Sequence, residues 1–321
     1  MDFARALNDF GQVTGELYTP TGTDTFKIHA FITGPNGVGI KDLGTFLGAV
    51  ATSGATINNA GQVAGVTWYP DGYLLDAFIT GPNGVDPKML IAPGGRTYPA
   101  GINEAGQVVG TTGGKYSQSA FIAGPNDGYR TRDIGELGGK NPNFLSGTYA
   151  SGINETGQVA GHSYAVGEPG VADVLHAFIT DSNGMGMRDI GTLGGAVSYG
   201  GGINDAGQVA GTSTTADGSE HAFITGPNGV RMRDLGTLGG IESRALDIND
   251  VGQVVGSFSL AEGESRAFIT GPNGEGMTDF NSLLDLPHGV ILTHADYDDF
   301  RTRNLCLDAC RIELDRVYGA S

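Results

Sequence analysis

The chain has few cysteines that could cross-link a small domain and no long apolar run that could anchor it in a membrane. Only two cysteines, Cys306 and Cys310, occur among 321 residues, so disulfides cannot hold the body of the protein together. Zinc would need two further ligands, and no suitable pair lies near these cysteines in the sequence. No apolar run is long enough for a membrane-spanning helix. The sequence therefore excludes a disulfide framework and predicts no membrane insertion.

Basic residues are also scarce. Lys and Arg total 18 against 35 Asp and Glu, which gives a net charge of −17, and no basic cluster occurs. Such a surface repels nucleic acid and anionic membranes, so we expect no nucleic-acid partner. An acidic surface that keeps the protein soluble explains the charge.

Recognisable catalytic motifs are missing too, since the sequence contains no GxSxG, HExxH or P-loop pattern. The acidic group Asp296, Asp298 and Asp299 lacks the glycine of an EF-hand loop. We expect no cofactor, with weak calcium binding at this group as the alternative to a solvated acidic tail.

What the sequence does contain is a repeat. Its cleanest copy runs from Gly201 to Gly240, and each copy holds one anchoring asparagine at spacings of 50, 45, 51, 50 and 45 residues. Six copies fill most of the chain, and the 56 glycines and 13 prolines recur at matching places within them. The anchoring asparagines are Asn8, Asn58, Asn103, Asn154, Asn204 and Asn249.

Each copy predicts four strands, A to D, because short Ile- and Val-rich runs alternate with turn signals. In the fifth copy Gly207 ends the A–B turn, and Pro227, Asn228 and Gly229 form the C–D turn. Four strands within 45 to 51 residues are typical of a propeller blade. We therefore predict an all-β protein, a six-bladed β-propeller over residues 1–284. The alternative has seven blades with a degenerate last blade, and residues 285–321 form an irregular closing segment or tail.

The phrases INDAGQVAG, HAFIT and MRDLGTLGG also resemble the HAF repeat, a bacterial family described as a probable extracellular repeat. The resemblance covers residues 4 to about 284. It implies a β-rich repeat fold and secretion, without an established reaction. We expect an extracellular or cell-surface bacterial protein whose export signal is absent from this chain, with a cytoplasmic protein as the alternative.

Three copies pair a histidine before AFIT with an aspartate in strand D. The pairs are His29 with Asp42, His176 with Asp189, and His221 with Asp234. On adjacent strands such residues would form a buried hydrogen bond inside each repeat, and we predict a structural role for them.

Candidate ligand-binding residues lie where the copies differ. Four of the six residues placed five before the anchoring asparagines are aromatic. Rings with polar tips suit sugars and other planar ligands, although packing between blades is the alternative. Trp68 should then be partly exposed on the same face as Tyr98 and Tyr149. The candidates are Tyr98, Tyr149, Tyr199 and Arg244 from strand A, and Trp68, Tyr69, Tyr73, His162 and Tyr164 from the variable B–C region.

Two function classes fit these residues. The first is a binding propeller that recognises a glycan, small molecule or protein on the face of the variable loops. The second is a propeller enzyme, such as a polysaccharide lyase or glycoside hydrolase. Its candidate residues are His162, Tyr164 and Glu168, with Arg244 or Arg96 neutralising an acidic sugar.

Overall fold

The fold is all-β and contains 24 strands joined by short turns, with 3₁₀ turns as its helical segments in the described part of the chain. The computed structural model describes residues 2–22, 25–46, 48–70, 75–92, 95–114, 117–139, 146–167, 173–284 and 292–293. Within these ranges no helix is long and apolar enough to cross a bilayer.

The strands of the first three repeats are β1 Phe3–Leu7, β2 Val13–Gly22, β3 Thr25–Thr33, β4 Ile40–Gly44, β5 Ala51–Ile57, β6 Val63–Trp68, β7 Leu75–Gly81, β8 Val85–Met89, β9 Arg96–Ile102, β10 Val108–Gly114, β11 Ser117–Ala123 and β12 Arg132–Asp133. Those of the last three are β13 Ser146–Ile153, β14 Val159–Ala165, β15 Val174–Asp181, β16 Met185–Asp189, β17 Gly194–Ile203, β18 Val209–Thr215, β19 Glu220–Ile224, β20 Arg233–Gly236, β21 Glu242–Ile248, β22 Val254–Ser259, β23 Ser265–Ile269 and β24 Thr278–Asp279.

These strands form five sheets, whereas the sequence predicts six separate ones. Four sheets have four strands each, and the fifth contains the eight strands β9 to β16. Within it, β11 and β13 pair in parallel at Ser117↔Ser146 and Gln118↔Gly147. This pairing joins repeats three and four into one sheet, and it could not be predicted because the partners are distant in sequence.

Two compact units divide the chain: Met1–Val174 with Thr180–Arg188, and Leu175–Ile179 with Asp189–Ser321. In each unit the core is built from the AFIT segments. The phenylalanine of this segment is fully buried in five repeats, because it points from strand C into the layer between sheets. The five are Phe78, Phe121, Phe178, Phe223 and Phe268.

The anchoring asparagine closes the turn between strands A and B. Asn204 Oδ1 accepts the Gln208 backbone N–H at 2.9 Å, and Asn204 Nδ2 donates to Gln208 Oε1 at 2.8 Å. Asn204 Nδ2 also donates to the carbonyl of Asn249, the next anchor, at 3.0 Å. Anchors Asn8, Asn58 and Asn103 make the same bond to the following repeat. The repeated asparagine is thus a structural clamp that joins neighbouring strands A.

The Pro-Asn-Gly turn between strands C and D has the geometry that its sequence predicts. Asn228 lies at φ 56° and Gly229 at φ 70°, in the left-handed region that favours asparagine and glycine. A Cβ on Gly229 would lie 2.7 Å from Ile179 Cγ2. Glycine is therefore required here by both backbone conformation and close packing.

A hydroxyl near the start of strand A joins one repeat to the next. The Ala30 N–H donates to Thr52 Oγ1 at 2.8 Å, and the Thr52 hydroxyl donates to the Gly44 carbonyl at 2.6 Å. Ser198 and Ser243 form equivalent bonds with Ala177 and Ala222. We call this position the hydroxyl seat.

After repeat six, a backbone carbonyl takes the place of the side-chain hydroxyl at the hydroxyl seat. The Ala267 N–H, equivalent to that of Ala30, donates to the carbonyl of Leu292 at 2.9 Å. Asn281 Oδ1 accepts the Leu292 N–H at 2.6 Å, and the Leu292 side chain packs against Phe280 and Ile269. The tail therefore contributes Leu292 to the core of repeat six, while residues 285–291 and 294–321 lie outside the described residues.

Candidate functional site

The predicted ligand residues of strand A occupy one register on the sheets. Each residue five before an anchor pairs with the residue eight after it, as Tyr98 does with Thr111 and Tyr149 with His162. Side chains two apart in a strand point to the same face, so the residue ten after each anchor shares this face. We call these three positions the A row, the B row and the B-end row.

The three rows differ strongly between repeats. The A row is Phe3, Ser53, Tyr98, Tyr149, Tyr199 and Arg244. The B row is Glu16, Val66, Thr111, His162, Thr212 and Ser257. The B-end row is Tyr18, Trp68, Gly113, Tyr164, Thr214 and Ser259.

Repeat four holds an aromatic cluster across all three rows. The rings of Tyr149 and His162 stack with centroids 4.9 Å apart and an interplanar angle of 18°. A Cβ on Gly147 would meet Tyr164 Cε2 at 3.1 Å and Tyr149 Cε2 at 3.3 Å, so this glycine leaves room for both rings. The sequence candidates Tyr149, His162 and Tyr164 are therefore brought together.

Burial controls the ionisation of this cluster. Desolvation lowers the pKa of His162 from 6.5 to about 4, because a buried imidazolium loses hydration. Desolvation raises the pKa of Tyr149, and the nearby Tyr164 hydroxyl adds to the effect. At neutral pH His162 and Tyr149 are therefore uncharged, and the cluster presents rings with polar tips.

Repeat one carries a charged cluster on the same rows, which the sequence reading missed. Glu16 is buried, and its carboxylate accepts from Arg5 Nη2 and the Tyr18 hydroxyl, both at 2.9 Å, and from the Ser53 hydroxyl at 3.0 Å. Desolvation acts to raise the pKa of Glu16, but the bonds from Tyr18, Arg5 and Ser53 outweigh it and leave the pKa lowered. The available signal was a single glutamate at a position where four of the other five repeats have valine, threonine or serine.

An aromatic ladder extends from this cluster along the β2–β3 hairpin. The ring of Tyr18 makes edge contacts with Phe3, at a centroid distance of 5.7 Å, and with Phe26, at 6.5 Å. Phe26 is 55% exposed. Repeat one therefore presents aromatic side chains on the same face as repeat four.

Repeats two and three present the more accessible aromatic candidates. Trp68, at the end of β6, is half-buried, and Tyr98 in β9 is 43% exposed. Trp68 holds the B-end position and Tyr98 the A-row position, so each lies on the predicted face of its own sheet. Tyr69 is half-buried just after β6, and Tyr73 lies outside the described residues.

The two candidates in repeats five and six are placed differently. Tyr199 is half-buried and pairs with Thr212. Arg244 forms ion pairs with Glu220 at 2.6 Å and with Glu242 at 3.5 Å. Since Glu220 belongs to repeat five, Arg244 has a structural role between adjacent repeats.

The predicted His–Asp hydrogen bonds are confirmed, but they are not buried as predicted, since the aspartate side chains are 44%, 39% and 41% exposed. The Nδ1 to carboxylate distances are 2.9 Å for His29–Asp42, 2.7 Å for His176–Asp189 and 2.8 Å for His221–Asp234. In repeat six Arg266 replaces the histidine and contacts Asp279 at 3.1 Å. The aspartate also accepts a backbone N–H two residues on, as in Gly236 N–H to Asp234 at 2.7 Å, so the pairs organise strand D.

No three His, Cys, Asp or Glu side chains within the described ranges lie close enough to hold a metal ion. The proposed calcium group Asp296, Asp298 and Asp299, the enzyme candidate Glu168, and both cysteines lie outside those ranges.

No protein-family model matches the chain, and no curated protein matches it. Solved structures do match. An oligogalacturonate lyase in complex with manganese has a TM-score of 0.55 at 12% identity, covering 86% of this chain and 75% of that one. The oligogalacturonate lyase of Vibrio parahaemolyticus has a TM-score of 0.52 at 10% identity, covering 86% and 76%.

TolB from Acinetobacter baumannii matches with a TM-score of 0.50 at 12% identity over 84% of this chain. The chain spans 63% of the length of that TolB. These neighbours are β-propellers, and the chain shares their all-β fold. At this level of identity the likeness concerns the fold alone.

Proposed function

We propose that the chain is a binding protein, a six-bladed β-propeller that holds a glycan, small molecule or protein on the face of the variable B–C loops. One observation carries the proposal: aromatic side chains of five repeats lie in the same three rows of the sheets. Rings with polar tips combine apolar contact area with hydrogen-bonding capacity, which suits ligand recognition. The proposal includes no cofactor and no nucleic-acid partner.

The enzyme alternative has weaker support. A general base works best with a pKa near the operating pH, whereas burial lowers the pKa of His162 to about 4. Arg244, one of the two proposed partners of an acidic sugar, is paired with Glu220 and Glu242. An enzyme that used Arg244 would have to break these ion pairs before it bound substrate.

The extracellular or cell-surface location and membership of the HAF repeat family are part of the same proposal. Their support is the resemblance of the repeat phrases and the acidic, cysteine-poor composition, with a net charge of −17 and two cysteines. Fractionation of a bacterium that expresses the complete gene tests the location.

A glycan and metabolite array tests the binding function. We expect Trp68→Ala and Tyr149→Ala each to weaken binding of the captured ligand at least tenfold, because truncating a buried aromatic contact typically costs about 2 kcal/mol or more. Phe10→Ala is the matched control, since Phe10 is 58% exposed on an A–B turn, away from the three rows. Unchanged binding in both variants, with folding verified by thermal unfolding, would count against the proposal.

A further inference from the structure

The junction of repeats two and three places the strands of Trp68 and Tyr98 next to each other. Strand β9 packs on β6 and β7 of the preceding repeat. Tyr98 holds the A-row position that Arg244 holds in repeat six, and Arg244 reaches Glu220 of its preceding repeat at 2.6 Å. Leu75 is the equivalent of Glu220, and its cross-strand partner is Trp68. Tyr98 therefore occupies the position in β9 that corresponds to Arg244, and the Trp68–Leu75 pair stands where the partner of Arg244 stands in the preceding repeat.

Arg96 adds a cation beside these rings. It lies two residues before Tyr98 in β9, so both side chains point to the same side of the strand, and both are exposed. Their cross-strand partners are Gly113 and Thr111. Repeat four has His162 and Tyr164 at the two positions equivalent to Thr111 and Gly113.

Its lack of an ion pair within the described residues distinguishes Arg96 from the other arginines near the three rows. Arg5 is paired with Glu16, and Arg244 with Glu220 and Glu242. Across the described parts of the chain, no carboxylate forms an ion pair with Arg96. An unneutralised guanidinium is unexpected on a protein of net charge −17, where acidic partners are abundant.

We infer that Arg96, Tyr98 and Trp68 form a subsite for a sugar that carries a carboxylate, an inference that rests on the proposed binding function. The rings of Trp68 and Tyr98 suit the apolar face of the sugar. The guanidinium can donate two parallel hydrogen bonds to one carboxylate. Because the net charge of the protein repels anions at long range, a short oligosaccharide fits better than a long polyanion.

The single tryptophan makes this subsite directly observable. Trp68 is the only tryptophan in the sequence, so its fluorescence reports binding there. We would titrate the protein, at 150 mM salt, with a glucuronic-acid disaccharide, the matching glucose disaccharide and a sulfated glucose disaccharide. The uronate should change the fluorescence saturably, and the glucose disaccharide should bind at least about tenfold more weakly, since it has no carboxylate to accept charge-assisted hydrogen bonds from the guanidinium.

Arg96→Gln should remove this preference and weaken uronate binding about tenfold, whereas Arg130→Gln should bind as the parent does. Arg130 is an exposed arginine of the same repeat and is the matched control. Equal binding of both sugars, tighter binding of the sulfated sugar, or an unchanged Arg96→Gln variant would overturn the carboxylate assignment. The binding function would survive that result if the array ligand still depended on Trp68 and Tyr149.

Discussion

His162 makes the stability of the protein sensitive to acid. Its pKa is about 4 in the folded protein against 6.5 for an ordinary histidine, so the unfolded chain binds a proton more readily. Stability is therefore lost as pH falls from about 6.5, and the loss levels off below the folded pKa. Acidification from pH 7 to pH 4.5 should therefore lower the free energy of unfolding by about 2–3 kcal/mol through this residue.

Urea unfolding of the parent and of His162→Phe at both pH values measures this effect. The parent should lose about 2–3 kcal/mol more than the variant on acidification, because all other titrations are common to both. Parallel losses would contradict the prediction.

His176→Phe provides a control of opposite sign. The hydrogen bond to Asp189 raises the pKa of His176, so its contribution is present below about pH 6.5 and is lost as pH rises through the folded pKa. The free energy of unfolding of the parent should therefore fall relative to that of the variant as the pH rises from 6 to 8.

The same residues mark the limit of what the sequence could predict. His176 and Asp189 were predictable because they lie on adjacent strands of one repeat and recur in other copies. The cluster around Glu16 was not, because Ser53 lies 37 residues away and reaches Glu16 only when two repeats pack together. Local patterns reveal contacts inside a repeat, whereas contacts between repeats depend on packing.

At the scale of the element, the turn between strands A and B depends on its anchoring asparagine. Asn204 is 3% exposed and takes part in three hydrogen bonds. Asn204→Ala should lower the free energy of unfolding by about 2–4 kcal/mol, because it removes these bonds and leaves buried backbone groups unpaired.

Asn126→Ala is the matched control, because Asn126 is exposed in the C–D turn of repeat three. Its effect should stay within about 0.5 kcal/mol. Chemical denaturation of both variants checks the pair, and equal effects would show that the Asn204 clamp contributes nothing specific.

The elements themselves were largely predictable, and their association was less so. Pro227, Asn228 and Gly229 specify their turn through local backbone preferences, and the structure has that turn. The parallel pairing of β11 with β13 has no local signal, since it joins segments separated by the whole C–D part of repeat three. The rows of the candidate site follow from register, but the cross-strand partners of Arg96 and Tyr98, which are Gly113 and Thr111, belong to another strand.

At the scale of the whole molecule, the tail is part of the fold through Leu292. Leu292 is 3% exposed, whereas Leu283, nine residues earlier in the chain, is 59% exposed. Leu292→Ala should lower the free energy of unfolding by about 2–4 kcal/mol through the cavity it leaves, and Leu283→Ala should change it little. Thermal and denaturant unfolding compare the two variants, and similar small effects would mean that the tail does not support repeat six.

The hydroxyl seat also bears on how such a chain can evolve. Thr52, Ser198 and Ser243 fill it between repeats, and the Leu292 carbonyl fills it after the last one, in each case accepting the N–H of an equivalent alanine. The terminal segment thus binds an alanine N–H that other repeats also present, and not a group found in repeat six alone. A further unit of 45 to 51 residues, inserted ahead of the tail by gene duplication, could form the same hydrogen bonds with repeat six on one side and with the tail on the other. Such an insertion would leave the hydrogen bond between the Leu292 carbonyl and the alanine N–H of the last repeat unchanged.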